Sequence, residues 1–153
     1  MIRGVVDGYS SYSLHCFRVI EGVTKIGKEV ALFPISVEQG KAPIPRVVYE
    51  SLVNKQQQEE WEMIIHCPTF KPQGNRRVVY NTMWETTKLH KESVINLNQA
   101  DLIIAPSNWN IGNWNAQGIK RPMAKVPLGI DTSVFHYQPP ITKDVLVFGT
   151  AGR

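Results

Sequence analysis

His66 and Glu85 are the side chains of this sequence best suited to placing a proton, and rings and hydroxyls accompany them: Tyr9 and Ser10 near the amino end, Trp84 beside Glu85, then Ser107, Asn108 and Trp109. Aromatic rings stack on the C–H faces of a sugar or another flat polar ligand, while hydroxyls and carboxylates hydrogen-bond its edges. Each residue also has a structural use. His66 suits a core site bonded to backbone, and Glu85 suits a helix amino end, where it would satisfy free N–H groups. Trp84 and Trp109 suit packing, and Tyr9 and Ser10 suit a turn and a helix cap. Residue type alone leaves both readings open, and no residue is assigned a catalytic role.

Other chemistries fit less well. The pairs His15-Cys16 and His66-Cys67 lack the CxxC or HxxxH spacing that aims two ligands at one metal, because adjacent residues point apart. No metal and no cofactor is expected. There is no G-x-S-x-G elbow for a serine hydrolase. The first glycine-bearing loop reads D-G-Y-S-S-Y-S rather than G-x-G-x-x-G, which argues against ordinary dinucleotide binding. Seventeen Lys and Arg face thirteen Asp and Glu, and the excess falls wholly after residue 60. The cations are scattered, so a small anionic ligand or a solvated surface is expected rather than nucleic acid. Two cysteines make no disulfide framework, and the amino end lacks the pattern of a signal peptide. A cytoplasmic protein is the expectation. No apolar run approaches the ~20 residues of a membrane-spanning helix, and nothing supports membrane association.

The elements that must position these side chains follow from periodicity. Residues 2–7 read as a strand, and Leu14, Phe17, Val19, Ile20, Val23 and Ile26 recur near the helical period until Gly27, a left-handed cap position. Residues 29–35 read as a second strand, which completes a βαβ unit and implies parallel pairing. A short helix is expected over 46–54, strands over 61–67 and 77–80, a helix over 90–100, a strand over 102–105, a helix starting at 106–108 and a last strand over 124–126. This alternation predicts a three-layer, Rossmann-like open α/β sheet, mostly parallel, in one domain over 1–126. Residues 127–144, with three prolines and little periodicity, read as a linker, and VLVF at 145–148 as a further strand. In open sheets ligands bind beyond the carboxyl ends of the strands, which selects loops 7–12, 66–70, 81–88 and 106–109.

Four phrases in order, MWETTKL, LNQADLIIAPSNWN, GIKRPMAKVPLGIDTSVF and VLVFGTAGR, together with KIGKEVALF in the opening unit, resemble the retaining glycosyltransferases of family 4. That family has the GT-B architecture of two facing Rossmann-like domains, and the resemblance covers nearly the whole chain. It implies an acceptor-binding amino-terminal domain here, of GT-B type, with a nucleotide-sugar held by a carboxyl-terminal domain of which residues 145–153 look like the first strand and turn. The carboxylate pair E-x7-E that holds the donor would lie beyond Arg153. By position, the resemblance implies acceptor-side roles for Tyr9, Ser10, His66, Trp84, Glu85, Ser107 and Asn108, and contact with the donor diphosphate for Gly8, Gly152 and Arg153.

The expected activity is hexosyltransferase-like: transfer from a nucleotide-sugar donor to a saccharide or other hydroxyl acceptor, with this chain inactive alone for want of the donor domain. Such transfer passes through an oxocarbenium-like sugar and a leaving diphosphate, so one side of the cleft must position a hydroxyl and the other must stabilise charge. The alternative is a non-catalytic sugar- or nucleotide-binding module. A third expectation is self-association through the edge of the strand at 145–148.

Overall fold

The computed structural model describes residues 1–6, 10–37, 46–54 and 60–139. Gly8 and Tyr9, and the segment 140–153 with its expected strand, Gly152 and Arg153, lie outside the described residues. The chain alternates β1 (Ile2–Val6), α1 (Ser11–Lys25), β2 (Leu32–Val37), α2 (Arg46–Val53), β3 (Trp61–Ile65), β4 (Arg77–Asn81), α3 (Lys91–Leu97), β5 (Leu102–Ala105), α4 (Asn108–Ala116) and β6 (Met123–Lys125). The six described strands form one sheet in the order β2-β1-β3-β4-β5-β6, and every neighbouring pair is parallel.

Alternation along β3 shows how one strand serves two cores. Ile64 packs with Tyr80, Leu97, Ile103 and Trp114 under α3 and α4, while Met63 and Ile65 pack with Cys16, Phe17, Ile20 and Leu52 under α1 and α2. Because strand side chains alternate between faces, the two clusters lie on opposite sides of the sheet. The result is the expected three-layer α/β domain.

The helix ends are set locally. Ser10 is extended, and its hydroxyl accepts the Ser13 N–H at 3.1 Å, capping α1. Gly27 closes the other end at φ 76°, donating its N–H to Thr24 O. Strand 29–35 of the sequence reading is corrected to Leu32–Val37, and it holds Pro34 because β2 is an edge strand among the described strands, where a missing N–H is tolerated. The expected strand 61–67 stops at Ile65, since His66 turns out of the ladder. The helix expected over 90–100 is Lys91–Leu97, and its last carbonyls bond the turn at 98–100.

The β3 to β4 connection contains no helix, and side chains fasten it. Arg3 Nη1 donates to Glu62 Oε1 at 2.7 Å and to Lys71 O at 3.0 Å, and Glu62 Oε2 accepts the Gln73 N–H. Tyr80 donates its hydroxyl to Phe70 O at 2.6 Å, and Asn96 Nδ2 bonds Thr69 O. The Arg3–Glu62 pair is almost fully buried, so the loop lies anchored against the sheet.

Candidate functional site at the strand-order reversal

The order of strands reverses between β1 and β3, and such a switch point is where open α/β sheets leave a crevice. The pairing reflects this. β1 pairs with β2 along its whole length, with a register shift between Gly4 and Val5, but with β3 only at Ile2↔Met63 and Arg3↔Ile64. The carboxyl halves of β1 and β3 are therefore not paired to one another.

His66 sits at this opening. Its N–H donates to Asn81 O at 3.0 Å, one step beyond the last β3–β4 pair, and its φ of 58° places it in the left-handed region. A non-glycine residue there costs on the order of 1–2 kcal/mol, and such strain gathers at functional positions. The His66 ring meets the Tyr12 ring at 5.1 Å and stands edge-on to the His15 ring at 4.5 Å. Tyr12 and His15 come from the first turns of α1, three residues apart and hence on one face. Asn81 Nδ2 lies 3.4 Å from His15 Nε2, within hydrogen-bond reach.

Burial, assisted by the nearby His15, pulls the His66 pKa down to about 4, and burial lowers that of His15 as well. Near neutral pH both rings are uncharged. The His66 Nδ1 is buried and has no hydrogen-bond partner among the described residues, a state that costs about 1–3 kcal/mol in a folded protein. A ligand hydroxyl reaching this nitrogen would relieve it. The four side chains thus present imidazole, carboxamide and phenol groups without formal charge, a set that suits polyhydroxylated ligands better than phosphates.

The other expected residues occupy a second neighbourhood around the start of α4. Ser107 caps that helix, accepting the Asn110 N–H at 3.2 Å and donating to Asn110 Oδ1 at 2.9 Å. Trp84 Nε1 donates to Thr86 Oγ1 and Lys88 O, so its loop is closed on itself. Asn110 Nδ2 bonds Trp84 O, Asn113 Nδ2 bonds Thr86 O, and Gln117 Oε1 accepts the Leu89 N–H, which clamps the loop to α4. Glu85, Asn108 and Trp109 are exposed on this rim. Ser10 stands apart from both arrangements as the cap of the helix that carries Tyr12 and His15.

Tyr12 and Asn81 fall inside the loops selected at 7–12 and 81–88 without being named there as candidates, and His15 lies outside those loops. The signal for His15 was its place in the first turns of a helix that begins at the carboxyl edge of the sheet, where a helical residue still reaches the crevice. Among the described residues no group of three or more His, Cys, Asp or Glu could hold a metal ion. No helix among them is long and apolar enough to cross a membrane. Comparison with known proteins gave no match to a family model, a curated protein or a solved structure.

Proposed function

We propose that this chain is the acceptor-binding domain of a glycosyltransferase, and that the crevice at the β1/β3 reversal receives the hydroxyl-bearing acceptor. The observation that carries the reading is His66: a neutral imidazole with a buried nitrogen lacking a partner, in a strained backbone position, beside His15, Tyr12 and Asn81. The parallel α/β sheet supports it, because that architecture delivers loops from several strands to one crevice. The sequence resemblance supplies the reaction class.

On this reading the chain's residues orient the acceptor. His66 Nδ1 and its neighbours hold hydroxyls by hydrogen bonds, and the Tyr12 ring, partly exposed, covers an apolar face of the sugar. A facing domain holds the nucleotide-sugar and the developing diphosphate charge. Residues 1–153 alone therefore bind a saccharide acceptor weakly and do not turn over the donor. Millimolar affinity corresponds to only about 4 kcal/mol, which a few neutral hydrogen bonds and one stacked ring can supply.

The test is a calorimetric titration of the purified chain with neutral saccharides and, separately, with UDP- and GDP-sugars. The expected result is saturable saccharide binding that His66→Asn weakens at least tenfold, with no sugar transfer. Absence of saccharide binding, or robust nucleotide-sugar turnover by this chain alone, contradicts the proposal. Saccharide binding without transfer, even when a donor domain is supplied in trans, assigns the chain to the non-catalytic binding modules instead.

A further inference from the structure

Beside the His15–Asn81 pair lies a groove of about 850 Å³ between α1 and the segment that follows β6. Its polar end is formed by His15 and Asn81, and its walls by Leu14 and Val19 on one side and Ile130, Val134 and Phe135 on the other. The volume is that of a small-molecule site. Its walls are apolar but open to solvent: Ile130 is 71% exposed, Phe135 67% and Leu14 52%. Apolar side chains gathered in this way mark a surface that a ligand or partner covers.

The charges in the groove narrow the choice of occupant. Arg18 pairs with Glu21 at 2.9 Å and with Asp131 at 3.2 Å, and Lys25 pairs with Glu21 at 3.0 Å. Both cations of the wall are thus matched by carboxylates on the protein. The Arg18–Asp131 bridge also joins the segment to α1, and Asp131 fixes its own turn by accepting the Val134 and Phe135 N–H groups. A site with neutral hydrogen-bonding groups at one end, apolar walls, and charges already paired is complementary to an uncharged amphiphile.

The geometry points to an acceptor of that class: a hydroxylated, uncharged head bound at His15, Asn81 and His66, carrying an alkyl chain that lies between Leu14 and Phe135. This deepens the acceptor-binding reading above and rests on it. The chain would enter a groove that is only partly enclosed, so each methylene contributes up to about 0.8 kcal/mol, or at most about fourfold in affinity.

The experiment compares methyl, butyl, hexyl and octyl glycosides of one sugar, kept below their micelle concentrations, on the full chain and on Phe135→Ser. Phe135 is exposed and outside both cores, so this variant is expected to fold. The expected result is an affinity gain of about tenfold or more from butyl to octyl, with a flattened series in the variant and unchanged binding of the methyl glycoside. If the methyl glycoside binds and the series is flat in the parent, the inference is overturned while the acceptor-binding reading stands. If no glycoside binds at any length, both are overturned. An octyl sulfate that binds as tightly as the octyl glycoside, or a concentration-dependent dimer that the octyl glycoside does not dissociate, would also overturn the inference, the latter assigning the groove to a second copy of the chain.

Discussion

Gly4→Ala tests the seating of the helix that carries half of the candidate site. A methyl group at Gly4 would lie 2.5 Å from Cys16 Sγ, 3.3 Å from Cys16 Cβ and 3.7 Å from Ile65 Cβ. Ordinary contacts between such atoms begin near 3.5 Å, so the gap between β1 and α1 must open by roughly 1 Å or the buried thiol must leave its rotamer. Cys16 is fully enclosed. Overpacking of this kind costs about 1–3 kcal/mol, which for a domain of this size lowers the melting temperature by about 2–4 °C per kcal/mol. Urea unfolding followed by tryptophan fluorescence and circular dichroism measures it. Cys16→Ala in the Gly4→Ala background removes the clashing sulfur, so the double variant should be at least about 1 kcal/mol more stable than the sum of the single effects. His15 adjoins Cys16, and saccharide binding should weaken in Gly4→Ala and recover in the double variant. An unchanged urea midpoint in Gly4→Ala, or strict additivity, would refute this account of the β1–α1 contact.

Three further outcomes are expected. Arg3→Met leaves Glu62 charged and buried, and should cost about 3–5 kcal/mol in urea unfolding, whereas Arg3→Met with Glu62→Gln should cost much less. The pH dependence follows from His66: its folded pKa of about 4 lies below the ordinary 6.5, so the unfolded chain binds the extra proton first. Stability from this ring is full above pH 6.5 and declines as pH falls from 6.5 toward 4; melting temperatures across that range should fall less in His66→Asn, which also tolerates the left-handed backbone. Ser107→Ala removes the α4 cap and should cost about 0.5–2 kcal/mol by the same unfolding assay.

Much of the architecture was legible because most strands contain a short apolar run, such as MII in β3 and LIIA in β5, and α1 carries a clear helical period. LIIA became β5 without adjustment, and Gly27 became the expected left-handed cap. The ends of β3 and β2 were less legible, since a ladder ends where a neighbour stops pairing, as at His66, and Pro34 is tolerated beside a register shift in a strand that no other described strand flanks on its outer side. Sequence also does not state strand order, and the reversal between β1 and β3 is what brings Tyr12, His15, His66 and Asn81 together. His66 could be named from its place after a strand. His15 could not, because its partner lies far away in sequence, and Ser10 and Ser107 looked like ligand hydroxyls as readily as the caps that they form.

The central claim is that the uncharged cluster at the reversal binds a saccharide, and nitrogen-resolved NMR of the histidine rings tests it most directly. Titration of the ¹⁵N-labelled chain with a neutral saccharide at pH 7 should move the ring signals of His66 and His15 together, with one saturating curve, and leave those of His90 and His136 in place. Saccharide-dependent shifts that spare His66 and His15, or none at saturating sugar, would contradict it.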